Sequence, residues 1–394
     1  MAQKPTVRVE VHDQRRVESS IRKFKRMCES AGILKEYKKR KEYKKPSIRK
    51  KEKEEAAENP IGSGAYEFVK WDKGNQIVMK KAKGSAVSAN FENLIWRVIP
   101  EASTRTAELI AGNVDMITNA SPDQVDAIDA SNSAKVQKVS GTRRMYVGFH
   151  QGEEYAVTEG GAAIQKAEVR RAIQYAVDVE AICANLLNAP CERATGLVNP
   201  NNAHPTLKPY PYNPEIAEYL LDQAGYPRDG NGVRFEITLE AGQGRYLNDK
   251  NVVLAICQYL DDIGIKTTCD IMDWSSVYVP KIRKKEAGPM FFLGSGGGTW
   301  NPLYDMSDLA TVESGPNYTK WTNEEWFKGW KVINNSMDPY VIRREIDRML
   351  EVFYNEGPWL LLYFQPDFYG VSNRVKWQER RDEEVDIFDA SLAN

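Results

Sequence analysis

The sequence predicts an α/β fold preceded by a basic, all-helical N-terminal arm. Two observations predict it: charge is divided sharply between two parts of the chain, and an alternation of strand and helix patterns begins only after the basic part. Residues 1–57 contain 19 Lys and Arg against 9 Asp and Glu, a net charge of +10, whereas the remainder contains 35 against 46, or −11. A basic segment of this kind favours polyanionic partners, and the alternative is a tail that only keeps the protein soluble.

The arm has helical periodicity but no core. Apolar residues at Val17, Ile21, Phe24 and Met27 follow the spacing of one helical face, and Gly32 ends the pattern. A second helix is predicted from 33 to 44, before a Pro-Ser pair that starts a third. Helices with one thin apolar stripe are marginal alone in water, so the arm requires a partner surface.

The arm also carries the residue types that bind RNA. Lysine and arginine neutralise phosphates, and interleaved aromatic rings stack on unpaired bases. The candidates for RNA binding are Arg22, Lys23, Lys25, Arg26, Lys35, Tyr37, Lys38, Lys39, Arg40, Tyr43 and Arg49.

The order of residues within the arm is more specific than its charge. The run reads IRKFKRMCESAGILKEYKKRKEYKKPSIRKKEKEEAA. It resembles the bacterial small-subunit ribosomal protein twenty-one in its R-x-F-K-R, A-G-[IV]-L and K-P-[ST] motifs. The resemblance implies an extended helical segment whose partner is small-subunit ribosomal RNA. It departs from that family where EKEEAAENP turns acidic.

The body starts with a predicted β-hairpin. Residues GSGAYEFVKWDKGNQIVMKK alternate apolar side chains on both sides of an Asp-Lys-Gly-Asn turn. A strand at 94–99 follows, and Ser103 is predicted to cap a helix that runs through Ile110 and is stopped by Gly112. The residues VDMI form the next short strand.

Downstream, helix and strand patterns alternate with short connections, as in an α/β layer. Helices are predicted near 167–187, 214–224, 247–263, 274–286, 322–335 and 338–356, and strands near 233–240, 265–272, 289–293 and 359–364.

Six segments of the body, taken in order, resemble the family 5 (peptide and nickel type) solute-binding proteins of ABC importers. They read NPIGSGAYEFVKW, IPEASTRTAELIAGNVDMI, VRRAIQYAVDVEAI, YNPEIAEYLLDQAGYP, GPNYTKWTNEEWFKGW and PWLLLYFQPDFYGVSNRVKW. The resemblance implies a two-lobed, periplasmic-binding-protein-like body. Residues 58–150 and 365–394 would form lobe one, and residues 151–364 would form lobe two.

Relative to that family, the resemblance implies that the opening strands of lobe one are missing. An incomplete sheet leaves unpaired backbone groups at its edge, so we expect lobe two to fold well and lobe one to be incomplete. The implied partners of the body are a peptide or other small solute and an ABC permease, with the protein as a monomer.

Candidate ligand contacts lie near the implied hinge and in a glycine-rich loop. The hinge strands are RRMYVGFH and LLLYFQPD, so Arg143, Arg144 and Tyr146 are candidates to face the cleft, with plain packing as the alternative. In the loop GSGGGTWNPLYDM, the family's aspartate for a peptide's amino group aligns with Gly298, so binding through a free N-terminus is in doubt.

Further candidates for the cleft are Trp274, Trp300, Asn301 and Asp305. The two tryptophans offer broad apolar faces, and Trp274 is equally compatible with a core position. Asp305 reaches the cleft or else caps the following MSDL segment, and the capping reading is preferred.

Several functions are not supported by any motif. There is no GxSxG, HExxH or phosphate-binding loop, so an enzyme is not expected, and no cofactor is implied. Five cysteines without a CxxC and three scattered histidines argue against a metal site. We interpret Cys183 and Cys191 as buried thiols, with a local disulfide as the alternative in an exported protein.

The sequence has no apolar run long enough to span a membrane and no secretory signal in MAQKPTVRVEVHDQRR, which predicts a cytoplasmic protein. The leading hypothesis is a non-enzymatic chimera of an rRNA-binding arm and a truncated solute-binding protein. The alternative is a constituent of the small ribosomal subunit whose body is a passenger or an artefact of the gene model.

Overall fold

The computed structural model describes residues 60–189, 191–296, 300–311, 313–388 and 390–393. The predicted arm and all of its candidate RNA contacts lie outside the described residues, as does Gly298. The chain divides into two compact units, with the division between Arg97 and Val98. The predicted lobe boundaries at 150 and 365 remain predictions.

The first unit contains a three-stranded antiparallel sheet. Its strands are β1 (Tyr66–Asp72), β2 (Gln76–Lys81) and β3 (Asn93–Arg97), with β2 in the centre. The predicted hairpin is confirmed: Gly74 has φ +80° in the turn, and the Asn75 amide donates to the Asp72 carbonyl at 3.0 Å. Glycine adopts this φ without steric cost.

The second unit is built on a mixed six-stranded sheet in the order β4-β9-β5-β8-β6-β7. These strands are β4 (Met116–Ile117), β5 (Ala134–Phe149), β6 (Phe235–Gln243), β7 (Ile265–Asp273), β8 (Met290–Gly296) and β9 (Trp359–Ser372). Strand β6 pairs in parallel with β7 and β8, whereas β5 pairs antiparallel with β8 and β9. The short strands β10 (Val375–Lys376) and β11 (Ser391–Leu392) form a separate pair.

Hydrophobic cores cover both faces of the six-stranded sheet. Met145 and Val147 belong to one core, and Tyr146, between them in sequence, belongs to the other. Every residue of β9 is buried. The two strands predicted as hinge strands are therefore neighbours in this sheet, and their continuous apolar runs reflect burial on both sides.

Eleven α-helices lie within the described residues of the second unit. They are α1 (Ala102–Ile110), α2 (Val125–Ala130), α3 (Glu159–Ala163), α4 (Ala167–Ala176), α5 (Val179–Leu186), α6 (Pro214–Gln223), α7 (Asp249–Asp262), α8 (Val279–Arg283), α9 (Pro302–Met306), α10 (Glu324–Asn334) and α11 (Pro339–Glu356). A π-helical turn, Trp274–Tyr278, leads into α8.

Two of the predicted helices need correction. Helix α1 begins at Ala102 after Glu101 and has no side-chain cap, so Ser103 lies inside its first turn. The helix predicted at 167–187 is two helices, because Val177 is extended and Asp178 caps α5 by accepting from the Ala181 amide at 2.9 Å.

Four of the cysteines form two disulfides. Cys183 pairs with Cys191 across a Cα–Cα distance of 5.7 Å, and Cys257 pairs with Cys269 across 6.5 Å. The reading of Cys183 and Cys191 as buried thiols was wrong. Cys183 lies within α5, and Cys191 lies five residues after the end of this helix.

Candidate ligand-binding site

A cavity of about 540 Å³ opens at one end of the six-stranded sheet. It lies among β5, β8, the loop that follows β6, the π-helical turn and α8. Its lining residues are Arg143, Arg245, Tyr246, Trp274, Ser275, Val279, Ile282, Arg283, Leu293, Gly294 and Tyr318. The lining contains three arginines and no carboxylate, so the cavity suits a ligand with negative charge.

One wall of the cavity is aromatic. The rings of Trp274 and Tyr246 meet edge to face, with centroids 5.2 Å apart. The Tyr246 hydroxyl accepts a hydrogen bond from the Gly294 amide at 2.9 Å. A Cβ at Gly294 would lie 2.8 Å from the Tyr246 ring, so glycine at this position allows the ring to pack against β8. Aromatic walls of this kind offer broad apolar contact to a ligand.

Two arginines converge at the other end of the cavity. The guanidinium carbons of Arg143 and Arg245 lie 5.8 and 5.3 Å from the centre of the Tyr246 ring. Arg143 donates to both carboxylate oxygens of Glu383, and Arg245 Nη2 lies 3.9 Å from Glu383 Oε2. The arginine pair therefore already holds a carboxylate supplied by the chain itself.

Asp367 is a second carboxyl group beside this pair. Burial raises the pKa of Asp367 to about 7, and the nearby Glu383 charge adds to the effect. Its Oδ2 atom is buried and has no hydrogen-bond partner among the described residues. A neutral carboxylic acid is the form that such an environment favours.

Two of the six sequence-predicted ligand contacts line the cavity and four do not. Arg143 and Trp274 are in the lining. Tyr146 is buried in a core, with its ring stacked on Trp359 at a centroid distance of 3.9 Å. Because Arg143 and Tyr146 are three positions apart on one strand, their side chains point to opposite faces of the sheet.

Asp305 forms a buried ion pair. Its Oδ2 lies 3.2 Å from Arg144 Nη1, both side chains are 1% exposed, and the Asn199 amide donates to the same carboxylate at 3.4 Å. The preferred capping interpretation was wrong. The residue at the cap position of the turn Ser307–Leu309 is Met306, and no side chain caps this turn. Arg144 and Asp305 instead tie α9 to the sheet.

The remaining two candidates lie near the start of α9 and outside the cavity lining. Asn301 caps α9, since its Oδ1 accepts from the Leu303 amide at 3.0 Å. Trp300 is partly exposed, and the Arg381 guanidinium lies 5.7 Å from its ring centre.

The sequence analysis missed Arg245, Tyr246 and Glu383. A signal was available for the first two, because they follow β6 directly and ligands bind beyond the carboxyl ends of parallel strands. No local pattern points to Glu383, which meets Arg143 from 240 positions away in the sequence.

Other site types find no support in the described part of the chain. Within it, no cluster of His, Cys, Asp or Glu has the arrangement to hold a metal ion. Among the helices described, none combines the length and the apolar character that a membrane crossing requires.

The described part of the chain thus combines a mixed α/β sheet with an arginine-lined cavity. Residues 6–316 match the model of the bacterial extracellular solute-binding proteins, family 5. The chain belongs to this family, whose members are binding proteins of ABC importers and not enzymes. The match extends across most of the basic segment at the N-terminus.

Among curated relatives, the chain is 22% identical over 338 residues to the oligopeptide-binding protein AppA of Bacillus subtilis, covering 82% of this chain and 60% of AppA. It is 25% identical over 327 residues to the glutathione-binding protein GsiB of Escherichia coli O157:H7, covering 80% and 61%. The chain thus spans about three fifths of the length of these relatives.

Solved structures share the fold. The periplasmic binding protein DppA from Helicobacter pylori, in complex with the peptide STSA, has a TM-score of 0.75 at 20% identity, covering 88% of this chain and 66% of that one. NikZ from Campylobacter jejuni, in complex with Ni(L-His), has a TM-score of 0.72 at 20% identity, covering 85% and 69%.

Proposed function

We propose that the protein binds a short peptide, with the peptide's carboxylate at the arginine end of the cavity, and delivers it to an ABC permease. The observation that carries the proposal is the lining itself: three arginines, an aromatic wall and no acidic side chain. The names of AppA and GsiB, an oligopeptide-binding and a glutathione-binding protein, point to the same class of solute.

The dimensions and chemistry of the cavity fit such a ligand. A volume of about 540 Å³ lies within the range of roughly 300–1,000 Å³ that is usual for small-molecule sites. Arg143 and Arg245 offer planar donors that match a carboxylate in two-point geometry. Trp274 and Tyr246 offer apolar contact to a peptide side chain.

The two disulfides support a location outside the cytoplasm. Disulfides persist in oxidising compartments and are rare where thiols are kept reduced. The pairs Cys183–Cys191 and Cys257–Cys269 are therefore consistent with the extracellular setting in the family's description. The expectation of a cytoplasmic protein rested on two absences: a membrane-length apolar run and a secretory signal in the first sixteen residues.

The proposal is tested by calorimetry on the full chain with short peptides that carry either a free or an amidated C-terminus. We expect Arg245→Met to weaken binding of the free acid by about tenfold or more, since hydrogen bonds to charged groups contribute about 1.5–3 kcal/mol. The control is Arg344→Met on α11, which makes the same change at an exposed position outside the lining. Equal affinity for acid and amide in the wild type would refute the carboxylate anchor.

A second candidate function belongs to residues 1–57, for which we propose binding to small-subunit ribosomal RNA. Their net charge of +10 and their likeness to ribosomal protein twenty-one support it. The test is filter binding of the full chain to this RNA at about 50 and 200 mM salt, where phosphate contacts predict a steep loss of affinity. Binding that is insensitive to salt would contradict the proposal.

A further inference from the structure

The Glu383 carboxylate occupies the arginine pair of the cavity. Its two oxygens accept from Arg143 Nε and Nη2, and the latter contact is 2.5 Å long. The side chains of Arg143 and Glu383 are 17% and 22% exposed, so the contact is largely shielded from solvent. Arg245 approaches the same carboxylate from the loop after β6 at 3.9 Å.

Glu383 lies on an irregular loop, residues 377–388, which is closed by a hydrogen bond within the loop and attached to β5 by another. The Trp377 indole donates to the Asp386 carbonyl at 2.8 Å, and Arg381 Nε donates to the Ser140 carbonyl at 2.7 Å. Glu383 itself has φ +63°, a left-handed conformation that is uncommon for residues other than glycine. The fold thus holds this carboxylate over the arginines in a conformation that has a backbone cost.

Two acidic side chains already lie beside the arginine pair. Arg143 and Arg245 face two carboxyl groups, those of Glu383 and Asp367. An incoming carboxylate would place a third acid beside two cations. Asp367 lies on β9 and is 4% exposed, whereas Glu383 lies on a loop and retains solvent contact, so Glu383 is the group that can be exchanged.

We infer that Glu383 is an internal competitor for the ligand, which masks the arginine pair until a ligand carboxylate displaces it. This inference rests on the proposed function, because it takes the same arginines as the ligand's anchor. Beyond the proposed function, the inference makes Glu383 a residue that sets the affinity for the ligand without contacting it. The 377–388 loop then differs between the empty and the occupied protein.

The test compares Glu383→Gln with Glu384→Gln in the full chain. Both variants remove one negative charge from the same loop, but Glu384 is exposed and has no ion pair with the arginines among the described contacts. The probes are trialanine with a free C-terminus and its C-terminal amide. Binding of each is measured by tryptophan fluorescence. We expect Glu383→Gln to bind the free acid about tenfold more tightly than wild type, and Glu384→Gln to match wild type.

A second readout does not depend on any peptide. Phenylglyoxal modifies accessible guanidinium groups, and peptide mapping reports the rate at Arg143. We expect Arg143 to react several-fold faster in Glu383→Gln than in wild type, and trialanine to protect it. If no peptide binds to either protein, the proposed function fails, and the rate at Arg143 still decides whether Glu383 masks the pair.

Two outcomes overturn the inference. One is an unchanged rate at Arg143 in Glu383→Gln. The other is an unchanged or weaker affinity of this variant for trialanine that wild type binds, because Glu383 would then be a bystander or a direct ligand contact.

Discussion

Replacing Asp305 by alanine tests whether this residue stabilises the fold or contacts a ligand. Arg144 and Asp305 are each 1% exposed at the side chain, and their closest contact is 3.2 Å. Among the described residues, the substitution leaves the buried Arg144 guanidinium two acceptors, the Ser295 hydroxyl at 3.2 Å and the Asn199 side-chain oxygen at 3.4 Å. Asp308 forms no ion pair with Arg144 among the described contacts, and its carboxylate interacts with this charge from beyond the Ser295 hydroxyl, from which it accepts at 3.0 Å.

The cost of breaking a buried ion pair from one side is about 3–5 kcal/mol of the free energy of unfolding. The unfolding entropy of a domain is about 2.1 cal/mol/K per residue, and the second unit runs from Val98 to Asn394. The expected fall in Tm is therefore about 5–8 °C. Because Asp305 lies outside the cavity lining, peptide affinity at a temperature where the variant is folded is expected to match wild type.

The paired replacement Arg144→Met with Asp305→Leu is the matched control. It removes both charges and fills a similar volume, and such exchanges are often neutral or stabilising. Thermal and urea unfolding of the three proteins, followed by tryptophan fluorescence, measures the comparison. If Tm falls by less than about 2 °C in Asp305→Ala, the reasoning is refuted. It is also refuted if the paired variant is no more stable than Asp305→Ala.

Two further predictions concern groups around the cavity. Because burial raises the pKa of Asp367 from 3.8 to about 7, stability from its protonated form is complete below about pH 4 and is lost as the pH rises through 7. Asp367→Asn should therefore raise the free energy of unfolding at pH 8 by up to about 4 kcal/mol, at 1.36 kcal/mol per pKa unit, and leave it unchanged at pH 4. Equal effects at both pH values would contradict this. Gly294→Ala places a methyl group 2.8 Å from Tyr246 and 2.9 Å from the Met145 sulfur. Such overpacking costs about 1–3 kcal/mol of unfolding free energy, measured by urea unfolding. The control is Gly230→Ala, where an added methyl group has no atom within 4 Å and φ is not in the left-handed region.

Most elements of the body are predictable from local patterns. The hairpin around Gly74, helix α6 with its cap Asn213 and the long helix α11 are each predicted by turn, cap and periodicity signals within a few residues. The split between α4 and α5 is not predictable in this way, because the apolar periodicity continues across Val177 while the backbone extends.

The site is less predictable than the fold. A hinge-strand pattern suggests Arg143, and the head of a helical pattern suggests Trp274, but the same reasoning also selects Tyr146 and Asp305, which are buried. Alternation along β5 puts the side chains of Arg143 and Tyr146 on opposite faces of the sheet. Which of the two faces carries the cavity is known only when the strands that pair with β5 are known.

Local patterns in the chain were enough to predict the α/β class, the order of most helices and strands, and the family of the body, because these depend on periodicity and on motifs within short stretches. Which charged groups and which cysteines meet became known from the packed fold. Arg143 with Glu383, Arg144 with Asp305 and Cys257 with Cys269 are contacts between segments that are separated in sequence. Side chains of this kind are brought together by the pairing of strands in the sheet and the packing of loops against it, which no local pattern encodes.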